Sequence, residues 1–196
     1  VDIIAATGNR GKLAEMRRVL SPAGINVFSP SEAGVVWQAD ETGKTFEENA
    51  MIKALAVCRA ADMPCFADDS GLEVDALGGA PGIYSARWAG RDATDADRIA
   101  KLLDAMKDVP DGRRTARFVC AICCVFPGGR TIYSRGECEG VIARAPRGDG
   151  GFGYDPVFIE NSTGKTFALL SSDEKDSISH RGRALRDFVQ KLAEYI

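Results

Sequence analysis

With 196 residues, 45% of them hydrophobic and 27% charged, the chain has the make-up of an ordinary globular protein with one sizeable core. Its formal net charge of −3 and pI near 5.3 give no reason to expect a nucleic-acid polymer or an anionic membrane as partner. No apolar run approaches the roughly 20 residues of a membrane span, and Val1-Asp2-Ile3-Ile4-Ala5-Ala6 lacks the basic region and longer apolar stretch of a signal peptide. Six cysteines without a second Cys or His pair to complete a tetrahedral site argue against structural zinc and fit a reducing cytoplasm.

In chain order, the first unit is a strand from Asp2 to Ala6, a tight loop from Thr7 to Gly11 and a helix from about Lys12 to Leu20. Leu13, Met16, Val19 and Leu20 form that helix's apolar stripe. A short strand around Ile25 to Phe28 follows, then an irregular segment reaching Asp40-Glu41-Thr42-Gly43. Thr45-Phe46-Glu47-Glu48 reads as a capping box opening a helix to roughly Ala60. Met63-Pro64-Cys65-Phe66-Ala67 reads as a buried strand ending at Asp68-Asp69, with Ser70-Gly71 as the turn after it. A Gly/Pro-rich loop runs through Gly78 to Gly82. Thr94-Asp95-Ala96-Asp97 caps a helix that carries Ile99, Leu102, Leu103 and Met106. Thr115 to Phe126, which holds Cys120, Cys123 and Cys124 among apolar neighbours, pairs antiparallel with Thr131 to Gly140 across Pro127-Gly128-Gly129. A last helix starts near Ser179 and buries Leu185, Phe188, Val189, Leu192 and Ile196. Helices alternating with strands, then a hairpin, predict an α/β fold: a mixed sheet with helices packed on it, in two lobes around a cleft.

Five places carry chemistry. Successive strand residues face opposite ways, so Asp68 and Asp69 point to opposite sides of the sheet; a carboxylate there suits a hard divalent cation, a water to be deprotonated, or both. Thr7-Gly8-Asn9-Arg10-Gly11-Lys12 lets backbone N–H groups at a helix start approach an anion, although its glycine spacing is not that of a Walker A loop. Lys53 lies one helical turn after Asn49, on the same face, and becomes a phosphate contact if that helix lines the cleft. In Gly148-Asp149-Gly150-Gly151-Phe152-Gly153-Tyr154-Asp155-Pro156, Phe152 or Tyr154 can stack on a planar ring while Asp155 accepts hydrogen bonds from base N–H groups. His180 and Arg181, near Lys175 and behind an expected Ser179 N-cap, stand at the positive end of a helix dipole. Cations there ask for an electron-rich ligand.

In order along the chain, Ala6-Thr7-Gly8-Asn9, Thr45-Phe46-x-Glu48-Asn49-Ala50, Ala67-Asp68-Asp69-Ser70-Gly71-Leu72, Gly78-Gly79-Ala80-Pro81-Gly82-Ile83-Tyr84-Ser85-Ala86-Arg87, Gly151-Phe152-Gly153-Tyr154-Asp155-Pro156 and Ser179-His180-Arg181-Gly182-Arg183-Ala184-Leu185 resemble the inosine/xanthosine triphosphate pyrophosphatase family. The resemblance implies one elongated two-lobed domain over residues 1–196, a cytoplasmic homodimer, and Mg²⁺-dependent release of pyrophosphate from ITP, dITP or XTP to leave the monophosphate. Carried over, Thr7, Gly8, Asn9, Arg10, Gly11, Lys12 and Lys53 hold phosphates, and Arg87 belongs near them. Asp69 is the catalytic acid and shares the metal with Asp40, or with Glu41 in its place. Ser70, Phe152, Gly153, Tyr154, Asp155, Lys175, His180 and Arg181 match nucleoside-binding positions. A regulatory module that binds without turnover, or a phosphatase using a strand-end Asp as nucleophile, is the competing class.

Overall fold

The computed structural model describes residues 1–195; Ile196, expected under the last helix, lies outside the described residues. The strands are β1 (Asp2–Ala5), β2 (Asn26–Phe28), β3 (Cys65–Val74), β4 (Thr115–Val125), β5 (Thr131–Ile142) and β6 (Phe158–Glu160). The helices are α1 (Arg10–Leu20), α2 (Phe46–Ala61), α3 (Asp95–Ala105), α4 (Ser172–Ile178) and α5 (His180–Ala193). One six-stranded sheet has the order β2-β1-β3-β4-β5-β6. β1 runs parallel to both β2 and β3, with Ile4 opposite Cys65, whereas β5 and β6 are antiparallel, with Val141 opposite Ile159. The sheet is therefore mixed, as expected. β4 and β5 are neighbours joined by a short turn in which the Phe126 N–H donates to the Arg130 carbonyl at 2.9 Å. A connection this short can only return antiparallel.

Two compact units divide the chain, and the division falls within β3, β4 and β5. The first comprises residues 1–69, 120–136 and 180–196. There the alternation of side chains along the strands sorts them into two apolar layers. Ile3, Ala5, Phe66, Cys120 and Ile122 pack with Met16 and Leu20 of α1 and Leu185 and Phe188 of α5. Ile4, Ala6, Cys65, Ala67 and Cys123 pack instead with Ala50, Ala54 and Val57 of α2. At Gly136 the β5 backbone comes so close to α5 that an added Cβ would lie 2.2 Å from the His180 carbonyl oxygen. Only glycine allows that approach.

The second unit, residues 70–119 and 137–179, closes on Leu72, Val74, Leu102, Met106, Phe118, Phe158 and Phe167, with the Phe118 and Phe167 rings stacked at 5.6 Å. Arg114 is buried in it and donates to the carbonyl oxygens of Met106, Val109, Ile142 and Ala143 at 2.7–3.1 Å.

Three local expectations are corrected. Ser70-Gly71 is not a turn: β3 continues to Val74 because Leu72 and Val74 alternate into the second unit's core, and that burial overrides local turn preference. Asp68 and Asp69 thus sit within a strand rather than at its end. The α2 capping box is half formed: Thr45 Oγ1 accepts from the Glu48 N–H, but the Glu48 carboxylate accepts from the Lys44 N–H instead of the cap residue's own. Finally, a separate helix, α4, precedes α5, opened by a reciprocal capping box between Ser171 and Glu174. Ser179, expected only as the N-cap of the last helix, is the buried, extended residue that ends α4 immediately before α5.

Candidate functional site

On the α1/α5 side of β3, Asp68 is 1% exposed and gathers two cations. Its carboxylate lies 3.1 Å from Lys12 Nζ, and it accepts from Arg181 Nε and Nη2 at 3.1 and 3.0 Å. Arg181 Nη1 donates to Glu15, another buried acid, on α1. Burial would raise the Asp68 pKa, but the Lys12 and Arg181 charges win and hold it well below the ordinary carboxylate range. Glu15 was not singled out by sequence; the one signal available was its position three residues after Lys12, beside buried Met16. Two internal carboxylates therefore meet the electrostatic demand of Arg181 at the start of α5. The dipole argument had assigned that demand to a ligand.

On the α2 side, Asp69 is also buried. Lys53 Nζ donates to its Oδ1 at 3.1 Å and lies 3.0 Å from Glu41 Oε2. Oδ2 of Asp69 is buried and accepts no hydrogen bond from the described residues. Burial raises the Asp69 pKa to about 6; Lys53 and Lys12 oppose the shift and the Glu41 charge adds to it. Burial works against Lys53 carrying its charge, yet Asp69, Asp68 and Glu41 together raise its pKa. Asp40 is exposed, so it is Glu41 that the structure brings to Asp69.

The loop before α1 is held by its own side chains. Asn9 Oδ1 accepts from the Lys12 N–H at 3.0 Å as the helix cap, and Thr7 Oγ1 accepts from the Asn9 N–H at 3.1 Å. A Cβ on Gly8 would meet nothing within 4 Å, and Gly8, Asn9 and Arg10 are exposed. A cavity of about 490 Å³ beside the loop is lined in part by Gly8, Asn9, Arg10, Arg17 and Ser31.

In the second unit, Lys175 donates to Asp155 Oδ2 at 2.6 Å, both side chains being almost fully buried. The same ammonium stands 4.7 Å from the centre of the Phe152 ring, and the Phe152 N–H donates to Asp155 at 3.0 Å. Gly151 has φ +68°, and a Cβ there would fall 2.0 Å from Asp155 Oδ2, so the loop closes over this acid only with glycine. Phe152 is half-buried. Tyr154, however, is 4% exposed and donates to the Ser85 carbonyl at 2.7 Å; it is a core residue. The Gly153 N–H donates to Asp95, Ser70 is half-buried in β3, and Arg87 lies exposed over the Tyr84 ring.

The Ham1 family model matches residues 3–191. A dITP/XTP pyrophosphatase of Shigella flexneri is 50% identical over 192 residues, covering 97% of both chains. The enzyme of the same name from Bacillus subtilis is 49% identical, covering 98% of this chain and 97% of its own. Among solved structures, a HAM1 protein from Coxiella burnetii superposes with a TM-score of 0.89 at 43% identity, covering 99% of each chain. A nucleoside-triphosphatase, dITP/XTP pyrophosphatase, from Mycobacterium abscessus superposes with a TM-score of 0.76 at 45% identity, covering 96% of this chain and 98% of that one.

Proposed function

Because the chain belongs to the Ham1 family, we propose that it hydrolyses nucleoside triphosphates bearing hypoxanthine or xanthine to the monophosphate and pyrophosphate. The observation that carries this is the Asp69 carboxylate, buried with an unbonded Oδ2 and set against Glu41 and Lys53. Hard carboxylate oxygens in that arrangement fit Mg²⁺, and Glu41 with Asp69 would hold it. When bound, Mg²⁺ neutralises phosphate charge and makes a coordinated water more acidic.

The chain's own residues supply the rest. Asp69, whose Oδ2 has no hydrogen-bond partner among the described residues, accepts the proton of the attacking water. The N–H groups and side chains of Thr7 to Lys12 cradle the phosphates, and Lys53 passes from its carboxylate partners to the departing pyrophosphate. Phe152 stacks on the purine, and Asp155, fixed by Lys175, accepts from base N–H groups. His180 and Arg181 turn a donor-bearing edge toward the 6-oxo group that hypoxanthine and xanthine share; adenine presents an amino group, itself a donor, to the same edge. Asp68 and Glu15 support this role by fixing the guanidinium plane.

A homodimer in the cytoplasm completes the reading on the strength of the family resemblance; among the described residues no helix is long and apolar enough to cross a membrane. The test is product analysis with inosine triphosphate. Inosine monophosphate and pyrophosphate in equal amounts are expected, whereas the diphosphate with orthophosphate, or binding without turnover, overturns the proposal.

A further inference from the structure

Asn49 is 1% exposed on α2, and its Oδ1 accepts a hydrogen bond from the Gly43 backbone N–H at 2.8 Å. Gly43 ends the irregular segment that carries Glu41. The segment lies so tightly on the helix that a Cβ on Gly43 would fall 2.7 Å from both Asn49 Oδ1 and Glu48 Cβ. One turn further along α2, Lys53 bridges Glu41 and Asp69. The segment has little regular structure of its own: no helix or strand is present between Phe28 and Phe46. Its backbone must be held by something, because a loose carboxylate spends its time in solvent. The Lys44 N–H, bound by the Glu48 carboxylate at 2.6 Å, gives a second anchor beside the first, also from α2.

We propose that Asn49 is a positioning residue: by gripping the Gly43 N–H it aims the neighbouring Glu41 carboxylate at Asp69, and so builds half of the divalent-cation site without touching the cation. This rests on the reading that Glu41 and Asp69 hold that cation. It also explains why Asp40, one residue earlier on the same segment, faces solvent: the pin at Gly43 sets which acid turns inward. Groups that orient a metal ligand are commonly worth ten- to a hundredfold in affinity.

The experiment measures Mn²⁺ affinity by electron paramagnetic resonance on the full chain, with and without a non-hydrolysable inosine triphosphate analogue. Thermal unfolding is followed alongside it. Asn49→Ala is expected to weaken Mn²⁺ binding about tenfold or more, and Gly43→Ala, which wedges the same contact apart, to do likewise. Asn49→Asp keeps the acceptor oxygen and is expected to stay within about threefold of the parent, a rescue that a purely structural residue would not show. If Asn49→Ala fails to fold, Gly43→Ala and Asn49→Asp still decide the matter. Should Glu41→Gln weaken Mn²⁺ while Asn49→Ala and Gly43→Ala leave it unchanged, the positioning role is wrong and the cation site stands. Mn²⁺ affinity indifferent to Glu41→Gln would bring down the cation site, and the role of Asn49 with it.

Discussion

Asp68 and Asp69 are neighbours in β3, both nearly or fully buried, and they end up in opposite electrostatic conditions. On one face two cations, Lys12 and Arg181, converge on Asp68 and keep it ionised. On the other face a single lysine is divided between Asp69 and Glu41, and burial pushes the Asp69 pKa to about 6. The more deeply buried acid is thus the one that stays ionised, and the ratio of cations to acids decides between them. The fully compensated carboxylate is suited to holding helices and the guanidinium in place. The under-compensated one is suited to chemistry, because it still has an oxygen to give.

The sharpest way to break this comparison is to neutralise each acid without changing its shape. Asp69→Asn should lower kcat by about a hundredfold or more, the scale of a lost general base, while leaving the unfolding midpoint close to the parent's. Retention of more than about a tenth of the activity would remove Asp69 from the reaction. Asp68→Asn should act chiefly on the fold: removing one partner from a buried ion-pair cluster costs roughly 3–5 kcal/mol, read from denaturant unfolding. If the two variants behave alike in both assays, the division of labour across β3 is wrong.

Arg181→Ala tests whether the rigid face also reads the base. The ratio of kcat/KM for inosine over adenosine triphosphate should fall about tenfold, because only the 6-oxo base loses a partner worth roughly 1–3 kcal/mol. An equal loss on both nucleotides would leave Arg181 a purely structural cation. The smallest effect concerns the helices that deliver the two lysines. Asn9→Ala removes the cap of α1, and Thr45→Ala that of α2; each should cost about 1 kcal/mol in thermal or denaturant unfolding. A cost of that size at one cap and none at the other would show that the two faces of the sheet are not held with comparable firmness.

The opposition of Asp68 and Asp69 was legible in the sequence because strand alternation is a local rule. So were the Asn9 loop, the Thr94 cap of α3 and the apolar stripes. What was not legible depends on distant partners. Ser70-Gly71 looks like a turn until Leu72 and Val74 find their core. Glu15 looks like a surface acid on an amphipathic helix until Arg181, 166 residues away, arrives beside it. The segment carrying Asp40 and Glu41 is tied to α2 by backbone hydrogen bonds to Asn49 and Glu48, which no local pattern announces. Tyr154 was as good a stacking ring as Phe152 on paper, and only the carbonyl of Ser85 shows which one is spoken for.

The bare backbone contact at Gly136 bears on how this protein can drift. With the His180 carbonyl 2.2 Å and the Ala184 nitrogen 2.6 Å from where a methyl would stand, no residue larger than glycine is admissible unless α5 backs away. Random variation at 136 is thus a dead end, and the seat of the helix is closed to gradual retuning. On the proposed reading of the site, a different base preference would have to come through the side chains at 180 and 181 or through the acids that steady them. The scaffold beneath offers no dial.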